Sequence, residues 1–193
     1  ADPKYKGLIC IRSSSNVYNQ TLLASIITHD GAEAATTWAE GVVANMARDP
    51  QGGDTDQLRG IVSGECDIAV SNTYYFARAI RRDVKGVSAD RDMIGWIFPE
   101  QDGRGAHMNL SGGGVAAHAP NKDNAIKFLE YLSSDSAQQY FSAGNDEFPA
   151  VEGVALADSV ETLGSFKADA VNLSDVAANI PAAQKIFNEV GWN

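Results

Sequence analysis

Three tyrosines stand where their oxygens could do chemistry. Tyr74 and Tyr75 lie side by side in "SNTYYFARAI", straight after the short apolar run "DIAV", and Tyr18 lies in "SSSNVYNQ", after the apolar run "GLICIR". In both places the pattern predicts strand, turn and helix, which puts each tyrosine in the first turn of a helix beyond the carboxyl end of a strand. Open α/β sheets hold their ligands at that end. The partial positive charge of a helix N-terminus also makes a phenolate less costly. A phenol with an ordinary pKa of about 10 stays neutral near neutral pH unless something stabilises its anion. A hard trivalent cation does so, because its own charge inverts the local pKa logic. Three phenolates suit Fe(III), an oxygen-seeking ion, better than zinc, which takes His and Cys. Tyrosines at strand ends also serve as plain packing with a wet hydroxyl, and the residue types alone leave both readings open.

The elements that must position them are βα units. "GLICIR" (7–12) reads as a strand, "SSSN" (13–16) as a cap cluster, and "VYNQTLLASIITHDG" as a helix with Leu22, Leu23, Ile26 and Ile27 on one side, ending at Gly31. Residues 32–49 carry Trp38, Val42 and Met46 at helical spacing and predict a second helix. After Pro50 and Gly52-Gly53, Asp54 is the expected cap of a third helix, with Leu58, Ile61 and Val62 on one face. "CDIAVS" follows as a buried strand, and the tyrosine helix begins near Asn72 or Thr73. Strands alternating with helices imply a parallel sheet covered on both faces.

A boundary is expected near residues 83–106, where "MIGWIF" lies between polar loops. Beyond it the pattern predicts a Gly-rich strand around "SGGGV" and a helix begun by Pro120 and Asn121, with Ala125, Phe128, Leu129 and Leu132 on one side. The remainder reads as loop with a final amphipathic helix around 181–190.

A chain of 193 residues, 44% hydrophobic, buries a sizeable core. Its net charge of −10 argues against phosphate-backbone binding, which needs Lys and Arg gathered on one face. No apolar stretch approaches the ~20 residues that span a bilayer, and "ADPKYKGLIC" has no signal-peptide shape. The chain is therefore expected to be cytoplasmic, or a mature or truncated piece of an exported protein. If the first two strands pair with level ends, Cys10 lies opposite roughly residue 70, and Cys66 is offset by about four residues of ~3.3 Å each. That offset exceeds what a disulfide bridges, so free thiols are expected.

Other motifs carry less. The glycines of "SGGGVAAHAP" match no phosphate-loop spacing, which favours close packing or a hinge. His29, His107 and His118 lack metal-site spacing and read as surface or capping residues. Ser13, Ser14 and Ser15 have no nucleophile-elbow context and read as caps. An enzyme using Tyr74 or Tyr75 as a general acid would need a partner base, and no His, Lys or Glu adjoins the pair in sequence. The expectation is a binding protein, not an enzyme.

Taken together, "RSSSNVYNQTLLAS", "PQGGDTDQLRGIVSGECDIAVSNTYY" and "GAHMNLSGGGVAAHAPNKDNAIKFLEYLSSDSAQQYF" resemble the periplasmic ferric-iron-binding proteins of ABC importers, in the branch whose site is dominated by tyrosines. The likeness covers nearly the whole chain. Its most specific part is the pair Tyr74-Tyr75 with Tyr18 well upstream. The resemblance implies an α/β, type II periplasmic binding-protein fold, mainly the C-terminal lobe, with a parallel-type sheet flanked by helices. Tyr18, Tyr74 and Tyr75 would be ligands of Fe(III), and Arg12, Ser14 and Ser15 candidates for a bound anion or for support behind the ligands. It further implies a periplasmic monomer that holds iron in a cleft between lobes and delivers it to an ABC-transporter permease at the inner membrane. Residues 1–104 correspond to the core of the C-terminal lobe with the hinge-crossing segment, 105–155 to a segment returning to the N-terminal lobe, and 156–193 to a helical tail. Most of the N-terminal lobe, with its own ligand, would lie outside this chain. The alternative is a protein of the same fold for an oxyanion or a small organic cation, with tyrosines as hydrogen-bond donors or a cation-π wall.

Overall fold

The computed structural model describes residues 2–193. In chain order its main elements are β1 (Ile9–Cys10), α1 (Val17–Ala44), α2 (Asp54–Ser63), β2 (Ile68–Ala69), α3 (Thr73–Arg81), α4 (Lys122–Leu132), α5 (Asp135–Asn145), α6 (Asp158–Glu161), α7 (Leu173–Ala178) and α8 (Ile180–Val190). They fall into two compact units. The first comprises residues 1–72, 83–109 and 166–193, and the second residues 73–82 and 110–165.

In the first unit β1 and β2 pair in parallel, Ile9 beside Ile68 and Cys10 beside Ala69. Ile9 makes a further parallel bridge to Met46 on its other side. The sheet is parallel as expected, but its strands are only two residues long. α1 is two helices end to end, because Gly31 at φ 83°, ψ 167° breaks the helical path where the sequence places the stop. One face of α1 buries Leu23, Ala24, Ile27, Ala35 and Ala39 against Ala183, Ile186 and Phe187 of α8. Trp192, 1% exposed, closes this core: its ring packs on Phe187, and its indole N–H donates to the Arg12 carbonyl at 3.0 Å.

Three expectations for this unit are corrected. Cys10 and Cys66 form a disulfide with their Cα atoms 5.8 Å apart. Cys66 lies ahead of β2, on the turn by which α2 ends. Its N–H bonds back to the Gly60 carbonyl, which carries it across the strand offset to Cys10. Gly60 leaves the necessary room, since a Cβ there would lie 2.7 Å from the Cys66 sulfur and 3.0 Å from that of Cys10. Second, Asp54 does not cap α2. Gly53 holds the cap position with its N–H bonded to the Asp56 carboxylate at 2.8 Å, which frees Asp54 to point into the interior. Third, His107 is not a surface residue. It is half-buried beside His29 and Asp169, and burial pushes its pKa down.

The second unit is helical. α3 packs on α6, and α4 on α5. The expected strand around residues 111–114 does not form: among the described residues this glycine-rich run has no ladder partner. α4 starts after Asn121 as its residues predict, yet Ile126, Phe128 and Tyr131 remain exposed.

Candidate metal-binding tyrosines

Each tyrosine lies where the sequence puts it. Asn16 caps α1, its side-chain oxygen accepting the Tyr18 N–H at 2.9 Å, so Tyr18 occupies the first turn of the helix that follows β1. The Arg12 guanidinium, from the segment leaving β1, lies 5.5 Å from the Tyr18 ring centroid. In the second unit Tyr74 and Tyr75 occupy the first turn of α3, their rings 4.2 Å apart and tilted by 32°. Arg78, one turn on, places its guanidinium 5.3 Å from both ring centroids. Every tyrosine of the set therefore has a guanidinium against a ring face, an attraction of about 0.5–2 kcal/mol that also restrains the ring.

Buried carboxylates hold both guanidinium groups. Arg12 is 2% exposed, forms an ion pair with Asp54, which is 1% exposed, and donates to the Asn19 side chain at 3.0 Å. Asn19 in turn donates to the Arg12 and Ser13 carbonyls, fastening the start of α1 to the end of β1. Arg78 donates to Asn145 at 2.9 Å and lies 3.9 Å from the Asp146 carboxylate. Asp146 is fully buried and accepts two bonds from Arg81, at 2.7 and 2.8 Å, and one from Ser159 at 2.8 Å. Burial alone would raise its pKa. The hydrogen bonds from Arg81 and Ser159, with the charges of Arg81 and Arg78, outweigh that and hold the carboxyl below its usual range.

Sequence reasoning named Arg12 but missed Asp54, Asp146 and Arg78 as members of these clusters. No local signal marks them, because their partners lie far away in the chain. Of the serines, Ser14 is buried, while the exposed Ser15 hydroxyl shares a hydrogen bond with Ser13 at 2.7 Å. Arg12 and Tyr18 come together in the first unit, as do Tyr74 and Tyr75 in the second. Among the described residues, no group of three or more His, Cys, Asp or Glu side chains could hold a metal ion.

Residues 1–168 match the family model described as bacterial extracellular solute-binding protein. The chain belongs to this solute-binding family. Iron uptake protein A1 of Synechocystis is 46% identical to it over 192 residues, which is all of this chain and 53% of that protein. The solved structure of the Trichodesmium protein IdiA (FutA), in complex with iron and citrate ligands, superposes on the whole chain with a TM-score of 0.94 at 48% identity, covering 61% of that structure. The ferric binding protein from Campylobacter jejuni superposes equally well, TM-score 0.94 at 41% identity, with 61% of it covered. This solute-binding protein has the α/β fold of type II periplasmic binding proteins. It spans about half the length of the curated relatives it matches.

Proposed function

We propose that this chain supplies Tyr18, Tyr74 and Tyr75 as phenolate ligands of a ferric ion, and that the full-length protein carries the ion to an ABC-transporter permease. The observation that carries this reading is the tyrosine pair opening α3 directly after β2, matched by Tyr18 opening α1 after β1. The relatives support it, being named for iron uptake or ferric-ion binding. Iron is here the transported ligand rather than a resident cofactor, and the role is binding rather than catalysis.

Each phenol loses a proton on binding, so affinity falls as pH falls. The guanidinium groups behind the rings offset the negative charge of the phenolates. Arg12, Ser14 and Ser15 remain the residues we assign to the support of Tyr18 or of a small anion that completes the shell. Because its charge is matched by Asp54, Arg12 suits the first of these roles better. Further ligands and the exclusion of water come from parts of the full-length protein beyond this chain. We read segment 105–155 as packing against those parts, which accounts for the exposed Leu110, Ile126, Phe128 and Tyr131.

The disulfide fits an oxidising compartment such as the periplasm, where the protein acts as a monomer. Adding ferric citrate to the full-length protein tests the proposal. A visible phenolate-to-iron charge-transfer band saturating at one equivalent supports it, and a colourless titration sinks it.

A further inference from the structure

Asp54 stands at the centre of a buried polar ring that the tyrosines alone do not require. One carboxylate oxygen takes the Arg12 ion pair, the Asn72 backbone N–H at 2.6 Å, the Asn72 side-chain amide at 3.0 Å and the Ser71 hydroxyl at 3.2 Å. Arg12 leaves β1, and Ser71 and Asn72 leave β2, so a single group ties the exits of both strands. The ring continues outward. The Asn72 side-chain oxygen accepts from Asn109 at 2.7 Å, and the Asn109 oxygen accepts from the Thr21 hydroxyl, also at 2.7 Å. Arg12 closes the ring on the other side by donating to Asn19. Asn19 and Thr21 follow Tyr18 at one and three positions in α1, so both ends of the ring return to the turn that carries this tyrosine. Asn72 is also the last residue before α3, two positions ahead of Tyr74.

A carboxylate 1% exposed is expensive to bury, and it persists only when paired and hydrogen-bonded. A helix cap would need no such burial, and Gly53 with Asp56 already supplies the cap. We propose that Asp54 is a positioning residue of the metal site: by holding Arg12 against Tyr18, it sets the geometry of that ligand without touching the ion. This rests on the ferric-ion reading above. Its chemistry is that of an outer-sphere partner, whose loss typically lowers metal affinity about 10–100-fold.

The test uses the full-length protein, ferric citrate as the iron source, and the Asp54→Asn variant, which keeps shape and removes charge. The expected result is a drop of about 10–100-fold in Fe(III) affinity against citrate competition, with a shifted or weakened charge-transfer band in the iron-saturated protein. In a Tyr18→Phe background the same substitution should have little further effect, because it acts through that tyrosine. If Asp54→Asn leaves Arg12 unpaired and the protein does not fold, the double variant Arg12→Gln/Asp54→Asn leaves no charge stranded and should show the same loss of affinity and band. A folded variant of either kind with a lowered melting temperature but wild-type affinity and spectrum would make Asp54 structural only and overturn the proposal. Full additivity with Tyr18→Phe would overturn it as well. A wild-type protein that binds no Fe(III) refutes the ferric reading itself, an outcome distinct from a wild type that binds and an Asp54 variant that matches it.

Discussion

The Asp146 carboxylate, buried completely at the end of α5, grips the Arg81 guanidinium through two hydrogen bonds of 2.7 and 2.8 Å and so fastens the last turn of the helix that begins with the tyrosine pair. Breaking a fully buried ion pair costs about 3–5 kcal/mol. Arg81 is about a third exposed and can be rehydrated, so Asp146→Ala should destabilise by nearer 2 kcal/mol. The linkage has a sign. Because the folded pKa is depressed, the stabilisation is present above the ordinary value of 3.8 and is lost as pH falls through the lower folded value. Urea denaturation between pH 7 and pH 2 checks both, and a variant with wild-type stability at pH 7 would contradict the assignment.

Gly60 gives the second prediction. A methyl group there would run into both sulfurs of the Cys10–Cys66 bridge, with no flexible side-chain end to yield. Gly60→Ala should cost about 1–3 kcal/mol, as overpacking does, despite the better helix propensity of Ala. Reducing the disulfide, which spans 56 residues, should lower stability by about 4 kcal/mol on the chain-entropy account. In the reduced protein the penalty at Gly60 should shrink, since the sulfurs can then move apart. Thermal melts of both proteins with and without reductant measure this, and an equal penalty in the two states would count against it.

His107 supplies the third. Burial, the largest influence, lowers its pKa from 6.5, and the Asn109 hydrogen bond and the charge of Asp169 only partly oppose this, with His29 adding to the lowering. As pH drops below 6.5 the unfolded chain takes up a proton that the folded one resists, so stability declines until the folded pKa is reached. His107→Gln should flatten the stability profile on the acid side of pH 6.5, the side set by the direction of this shift. Chemical denaturation at half-unit pH steps reads the slope, and an unchanged slope would show that another group carries it.

How much of this was legible in the sequence depends on range. Helix starts and stops are local, so Gly31, Asn121 and the first turn of α3 fall where the residues put them. The parallel pairing of β1 with β2 was legible too, Cys10 lying beside Ala69 within one residue of the expected partner. The disulfide was not, because level-strand geometry assumes that Cys66 is in the strand, whereas it rides the turn before it. Asp54 matched a helix-cap signature, but a buried arginine 42 residues away claimed its carboxylate. The glycine-rich run 111–114 is expected as a strand, but among the described residues nothing pairs with it. The tyrosines were named as candidates by type and position, and the arginines and carboxylates beside them emerged only with the fold.

The visible spectrum of the full-length protein loaded with ferric citrate tests the central claim most directly. Phenolate-to-iron charge transfer should appear in the wild type and weaken in Tyr18→Phe, Tyr74→Phe and Tyr75→Phe taken singly, with lower affinity in each, since on the proposed ligand set every substitution removes one anionic ligand while keeping the ring. A wild-type band that all three variants reproduce at full intensity would contradict it.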